Sequence, residues 1–168
     1  MVETFIEYGI NINHQNESLK TALMLAAFHG KLHMVKLLRQ YEASYLLRDN
    51  SGMTALHYAV DGGHCDTIEY MVNDGCPINE FDAVNRWTPL LRAASLNASE
   101  NVARVLIKYG ALLNVEDVNN KSALMIGVIN GNLPFVQALV ANGADIYTLN
   151  EDGKSLYDLA VAMDRRVT

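Results

Sequence analysis

Apolar residues in this chain fall into short paired blocks, and the pairs recur. The first block of each pair is nearly continuous, as in Ala22–Phe28, Ala55–Val60, Pro89–Ala94 and Ala123–Ile129. The second is striped, apolar at i, i+1, i+3 and i+4, as in Met34-Val-Lys-Leu-Leu38, Val102-Ala-Arg-Val-Leu-Ile107 and Phe135-Val-Gln-Ala-Leu-Val140. Such a stripe is the signature of a helix with one buried face. Each pair therefore predicts two short helices. Thr21, Thr54, Thr88, Ser122 and Ser155 open five similar segments, 33, 34, 34 and 33 residues apart. Periodicity at this length marks a repeat array rather than one globular core.

The residues between the blocks have readable tasks. A Thr or Ser hydroxyl caps a helix by accepting from an orphan backbone N–H, which suits Thr21, Thr54 and Thr88. Pro89 sits at the first helical position, where its missing N–H costs nothing. Gly30, Gly63 and Gly131 fall at the corner between the two helices, where a left-handed backbone favours glycine. A small pair such as Gly75-Cys76, Gly110-Ala111 or Gly143-Ala144 follows the second helix, with Glu42-Ala43 in the first repeat. An extended stretch then leads to Asp49, Asp117 or Asn150, which opens the next turn. The third turn has one extra residue between Asp82 and Trp87.

A unit of this kind cannot bury its stripe alone, so neighbours must stack. The segments Thr21-Ala-Leu-Met-Leu-Ala26, Thr54-Ala-Leu-His-Tyr-Ala59 and Thr88-Pro-Leu-Leu-Arg-Ala93 at this period resemble the ankyrin repeat family, across essentially the whole chain. The tetratricopeptide repeat has a similar length but places different residues. The resemblance implies an all-α solenoid of stacked helix-turn-helix pairs with β-turn fingers. Its divisions are a partial repeat at 1–15, full repeats at 16–48, 49–81, 82–116 and 117–149, and a partial repeat at 150–168. Met1 to Tyr8 reads as a second helix with no first helix before it. Ser155 to about Arg165 reads as a first helix with almost no second, so the sequence is expected to be an excised piece of a longer protein.

A closer similarity lies in Thr54-Ala-Leu-His-Tyr-Ala-Val-Asp-Gly-Gly-His-Cys65, Ile68-Glu69, Asp74-Gly-Cys76 and the tryptophan before Thr88-Pro-Leu90. These resemble arrays that follow a fibronectin type III domain. That resemblance implies an intracellular adaptor of the cytoplasm, nucleus or cilium, without enzymatic activity. Leu19, Glu42 and Asn120 depart from it by replacing turn glycines.

Composition narrows the function classes. The 168 residues carry 13 basic and 19 acidic side chains, a net charge of −6, which disfavours nucleic acid as a partner. No apolar run approaches the ~18 to 20 residues of a bilayer span, and no signal-peptide pattern opens the chain. Three prolines and two cysteines fit neither a disordered linker nor a disulfide-stapled module. His57, His64, Cys65 and Cys76 lack ligand spacing, so no metal and no cofactor are expected, and the thiols read as free and reduced. The resemblance instead implies that His57 is the family's helix-start histidine, hydrogen-bonded to neighbouring turn backbone. Asp61-Gly-Gly-His64 is a helix corner rather than a phosphate loop. Carboxylates are scattered over turns, so no acid–base site forms. Asn79 and Asn114 lie at a turn position hydroxylated in some members of the family, in flanking sequence that fits that modification poorly.

The resemblance also implies where a protein partner binds: on turn tips and first helices, along one concave side. At those positions Phe28, Met53, Trp87, Leu96 and Ile129 are large and apolar, flanked by His29 and Arg86. Aromatic and Met anchors beside an Arg resemble a binding hot spot. Phe28 and Leu96 fit equally well as packing between neighbouring first helices. Arg92 occupies a slot held elsewhere by Leu25, Tyr58, Ile126 and Leu159, so it is either structurally ion-paired or an anchor for an acidic partner residue. The sequence thus reads as a monomeric protein-interaction scaffold or adaptor, with no membrane partner. The alternative is a spacer whose apolar face docks on a neighbouring domain.

Overall fold

The computed structural model describes residue 9 and residues 11–164. The helix expected over Met1–Tyr8 and the end of the last helix at Arg165 lie outside the described residues. Within them the chain forms α1 (Ala22–Phe28), α2 (Leu32–Gln40), α3 (Ala55–Gly62), α4 (Cys65–Asn73), α5 (Pro89–Ser95), α6 (Glu100–Lys108), α7 (Ala123–Ile129), α8 (Leu133–Ala141) and α9 (Leu156–Asp164). No strand forms among the described residues, and an isolated bridge pairs Glu116 with Ser122. The protein is all-α, in helix-turn-helix pairs.

Hydroxyl caps start the first helix of each pair. Thr21 Oγ1 accepts from the Met24 N–H at 3.2 Å, Thr88 Oγ1 from Leu91 at 3.3 Å, and Ser122 Oγ from Met125 at 3.3 Å. Thr54 and His57 form a reciprocal capping box, and Pro89 occupies the first turn of α5. Gly30, Gly63 and Gly131 turn the corners at φ +61°, +70° and +68°, and Asn97 does so in the third repeat at +55°. The second helices bury one stripe each, such as Val35 and Leu38 in α2 or Phe135, Ala138 and Leu139 in α8.

Two compact units result, Met1–Pro77 and Ile78–Thr168. In the first, α1 packs on α2 and α3, α3 on α4, and α2 against α4. In the second, α5 packs on α6 and α7, α7 on α8 and α9, and α6 against α8. First helices therefore stack on first helices, and second on second.

One device shapes every finger. Asn16, Asp49, Asp117 and Asn150 each use Oδ1 to accept from the backbone N–H two and four residues on, at 2.8–3.1 Å. This side-chain turn holds the backbone in place of a strand ladder. In the third finger Asp82 Oδ1 takes the N–H groups of Val84, Asn85 and Trp87. Its closing backbone bond runs from the Asp82 N–H to the Trp87 carbonyl, one residue farther than the Asp49–Met53 bond of the second. The extra residue widens the loop without breaking the turn.

A second device ties each finger to the next within a unit. Asn13 Oδ1 accepts from the Ser44 N–H at 2.7 Å, Asn79 from Leu112 at 2.9 Å, and Asn114 from Asp145 at 2.9 Å. The repeat-equivalent pair is Leu46 and Pro77. Leucine offers no acceptor and proline no N–H, so both halves of that latch are missing together. A double-mutant cycle of Leu46→Asn and Pro77→Ser is expected to show coupling of about 1 kcal/mol favouring the double variant in urea denaturation.

The ends of α2 and α4 are joined by charge. Arg39 Nε donates to Asp74 Oδ2 at 2.6 Å, the Tyr45 hydroxyl donates to the same oxygen at 2.9 Å, and the guanidinium lies 4.1 Å over the Tyr45 ring. Burial pushes the Asp74 carboxyl up, but the hydrogen bonds from Arg39 and Tyr45 and the guanidinium charge outweigh it and hold the group below 3.8. A depressed folded pKa stabilises above the unfolded value and fades as pH falls through the folded one. Asp74→Asn is therefore expected to cost about 1 kcal/mol at neutral pH, for a half-exposed network. The gap from wild type closes as pH falls below 3.8. Chemical denaturation across that range measures it.

Candidate partner-binding surfaces

In the first unit, Thr21 and Thr54 fix where α1 and α3 begin and so which residues face outward one turn later. Phe28, at the end of α1, is 40% exposed. Its ring meets the edge of His29 at 5.1 Å and of Tyr58 at 6.4 Å. Lys20 Nζ sits 5.5 Å over the Tyr58 ring, whose hydroxyl donates to Asp49 Oδ2 at 2.7 Å. Phe28 thus packs on Tyr58 and still shows a face to solvent. Met53 departs from the expected exposed anchor. It is 8% exposed, an apolar side chain buried at the slot where the first, fourth and fifth fingers carry the charged Lys20, Lys121 and Lys154.

In the second unit, Trp87 is half-buried, and its Nε1 donates to Asp117 Oδ2 at 3.3 Å. The tryptophan therefore ties the third finger to the fourth. Arg92 places its guanidinium 5.8 Å over the same ring, a cation–π contact on the slot where other repeats carry an apolar side chain. Arg86 is exposed at the finger tip, 5.5 Å over the ring of exposed Phe81. Leu96 is exposed at the end of α5, and Ile129 is half-buried at the end of α7. Trp87, Arg92 and Asp117 form one cluster; Phe28 and Met53 belong to the other unit.

The corner residues behave as structure. His57 is fully buried, with Nδ1 3.2 Å from the Thr54 N–H and 2.9 Å from Thr54 Oγ1. His64 packs its ring against Gly30 and Gly62. Cys65 and Cys76 are free thiols, and burial, with Asp66 next, pushes the Cys65 thiol up, away from nucleophilic character. Among the described residues no group of three His, Cys, Asp or Glu is placed to hold a metal.

The tips show a feature that the sequence pattern half conceals. The residue two before each Thr or Ser slot has a left-handed backbone in all five fingers. Gly52 and Gly153 hold it at φ +77° and +71°, but Leu19, Arg86 and Asn120 hold it at +57°, +57° and +52°. Glu42 likewise keeps the left-handed geometry of Gly75, at +63°. Departures from turn glycine thus leave the turn intact and strain it instead. Arg86 was hidden by the extra residue of its finger, which breaks the register that exposes Leu19 and Asn120.

A family model described as ankyrin repeats (3 copies) matches residues 1–82 and 75–150. The chain is 29% identical over 169 residues to the Caenorhabditis elegans homolog of transient receptor potential cation channel subfamily A member 1, covering 99% of this chain and 14% of that protein. It is 43% identical over 55 residues to human fibronectin type 3 and ankyrin repeat domains protein 1, covering 33% of this chain and 16% of that protein. A chain in the solved complex of a Bdellovibrio bacteriovorus predatory endopeptidase with an immunity protein is similar at a TM-score of 0.85 and 27% identity, covering 98% of this chain and 86% of that one. The chain is therefore a small part of the length of the curated relatives it matches.

Proposed function

The chain belongs to the ankyrin-repeat family, and from that premise we propose that it is a non-enzymatic scaffold or adaptor holding a protein partner on the finger tips and first helices of its units. Ankyrin repeats generally mediate protein–protein interaction, and the family is generally non-enzymatic. The observation behind the finer reading is the strain at the tips. A non-glycine residue in the left-handed region costs roughly 1 to 2 kcal/mol, and Leu19 and Arg86 sit where glycine serves the backbone better. Both side chains are exposed, so the cost is not repaid by core packing. Contact with a partner accounts for retaining them. Phe28 in the first unit and Phe81 beside Arg86 in the second supply the apolar surface such contacts use.

In this reading the protein works as a monomer inside the cell, in cytoplasm, nucleus or cilium. Its −6 charge directs it to protein rather than nucleic acid. Repeat specificity lives in a few tip residues, so the partner has to be found by experiment. Pull-down with quantitative mass spectrometry on wild type, Phe28→Ser and Arg86→Glu is the test. Both variants are exposed and are expected to keep the helical circular dichroism of wild type while losing a common set of proteins. Unchanged recovery by two folded variants refutes the reading. Crosslinks confined to neighbouring domains of the same chain favour a spacer instead.

A further inference from the structure

Two asparagines at the corner of the fourth repeat fasten it to the third. Asn130 Nδ2 donates to the Ala94 carbonyl at 2.9 Å, and Asn132 Nδ2 donates to the Ala98 carbonyl at 2.9 Å. Ala94 lies in the last turn of α5, where carbonyls run out of partners within the helix. The Asn130 amide therefore serves a helix end across the α5–α7 contact. In the other full repeats its slot holds His29, Gly62 and Leu96, none of which carries an amide side chain.

Asn130 precedes Gly131, and Asn142 precedes Gly143; these are the two Asn-Gly pairs of the chain. Asparagine is thermolabile, and most so before glycine, because no side chain shields the next backbone nitrogen. That nitrogen, its proton lost to hydroxide, attacks the asparagine Cγ. The new N–Cγ bond closes a five-membered imide, and the Cγ–Nδ2 bond breaks to release ammonia, which takes its third proton from water. A water molecule then opens the imide at either carbonyl, leaving aspartate or isoaspartate. The sum is amide plus water to acid plus ammonia, without redox change and without an enzyme. At Asn130 the fold holds the reacting groups apart. Its ψ is −5°, the Gly131 N–H donates to the Val128 carbonyl at 3.1 Å, and the side-chain amide is held on Ala94. Reaction waits until the end of α7 unwinds and leaves α5, a local opening of the kind native proteins undergo. The Asn142 side chain donates to Ala138 of its own helix at 2.8 Å, so fraying of α8 alone releases it.

We propose that Asn130–Gly131 is a site of slow, spontaneous deamidation gated by opening of the α5–α7 contact, and that its product unfastens the fourth repeat from the third. A carboxylate has no N–H to give, so it sets acceptors against the Ala94 carbonyl. It also places negative charge at the C-terminal end of α7, where the helix dipole opposes it. Isoaspartate adds a backbone carbon to the corner as well. Each product makes the next opening easier and does not restore the amide, so the change runs one way. It falls beside Ile129 and does not depend on what binds at the finger tips.

The test ages the purified chain at neutral pH, folded or in urea, and follows amide loss by fragmentation mass spectrometry, which separates the two residues. In urea Asn130 and Asn142 are expected to convert at similar rates. In the folded chain both slow down, Asn142 converts first, and Asn130 converts at least tenfold more slowly than in urea. Asn132→Asp keeps the cap on the Phe135 N–H but removes the donor to Ala98. That variant is expected to speed conversion of Asn130 at least threefold and leave Asn142 unchanged. Aged protein converted at residue 130, separated by ion exchange, and the variant Asn130→Asp are both expected to unfold at lower urea than the unaged chain. Equal rates at Asn130 in the folded and urea-treated chain overturn the proposal. So does an Asn130 amide still intact in the folded chain after Asn142 has fully converted, or unchanged urea stability of the converted protein.

Discussion

Gly62→Ala is expected to destabilise the first unit by about 3 kcal/mol or more, a large share of the stability of a small domain. The new Cβ would stand 2.1 Å from the Phe28 carbonyl oxygen and 2.6 Å from the His64 ring. The nearer neighbour is backbone, and it belongs to the first repeat while Gly62 belongs to the second. Relief therefore requires α1 and α3 to separate, which undoes their packing. Gly63→Ala is the informative control. Gly63 has φ +70° and open space around the position of a Cβ, so alanine there meets only the left-handed penalty of about 1 kcal/mol. Urea denaturation of the two variants separates crowding from backbone strain at adjacent residues.

His57→Ala is expected to cost about 3 kcal/mol, from an unpaired backbone N–H and a cavity together. The ring is fully buried, and its Nδ1 is the partner of the Thr54 N–H that opens α3. Alanine removes that acceptor from a fully buried site. His57→Met is expected to cost under about 1.5 kcal/mol. Methionine already fills this slot in the first and fourth repeats, and in the first Met24 Sδ lies 3.4 Å from the Thr21 N–H. A thermal melt ranking His57→Ala below His57→Met, with wild type highest, checks the pair.

The contrast between these two sites shows what the sequence makes legible. Period, caps and corners recur slot by slot, so Thr21, Thr54, Thr88, Gly30, Gly63 and Gly131 can be assigned by alignment of the chain with itself. Gly62 cannot. Its slot holds His29, Leu96 and Asn130 in other repeats, and only the approach of α1 to α3 makes glycine necessary. Arg39, Asp74 and Tyr45 were equally silent, because a network across 35 residues has no local pattern. Met53 is the opposite case: its tip position is legible, but not that its apolar side chain is buried there, at 8% exposure. Trp87 was singled out as a large residue at a tip, and its bond to Asp117 adds a structural task that spacing does not encode.

In the proposed function, Leu19 and Arg86 are kept at strained tips for the contacts they make. Replacing both by glycine, and measuring urea stability and partner affinity on the same preparation, tests it directly. Relief of the left-handed strain, partly offset by a more flexible unfolded chain, is expected to raise stability by about 0.5 to 1 kcal/mol per site. Affinity for the proteins recovered by wild type is expected to fall at least tenfold. A double glycine variant that gains stability and keeps full affinity rules out a binding role for Leu19 and Arg86.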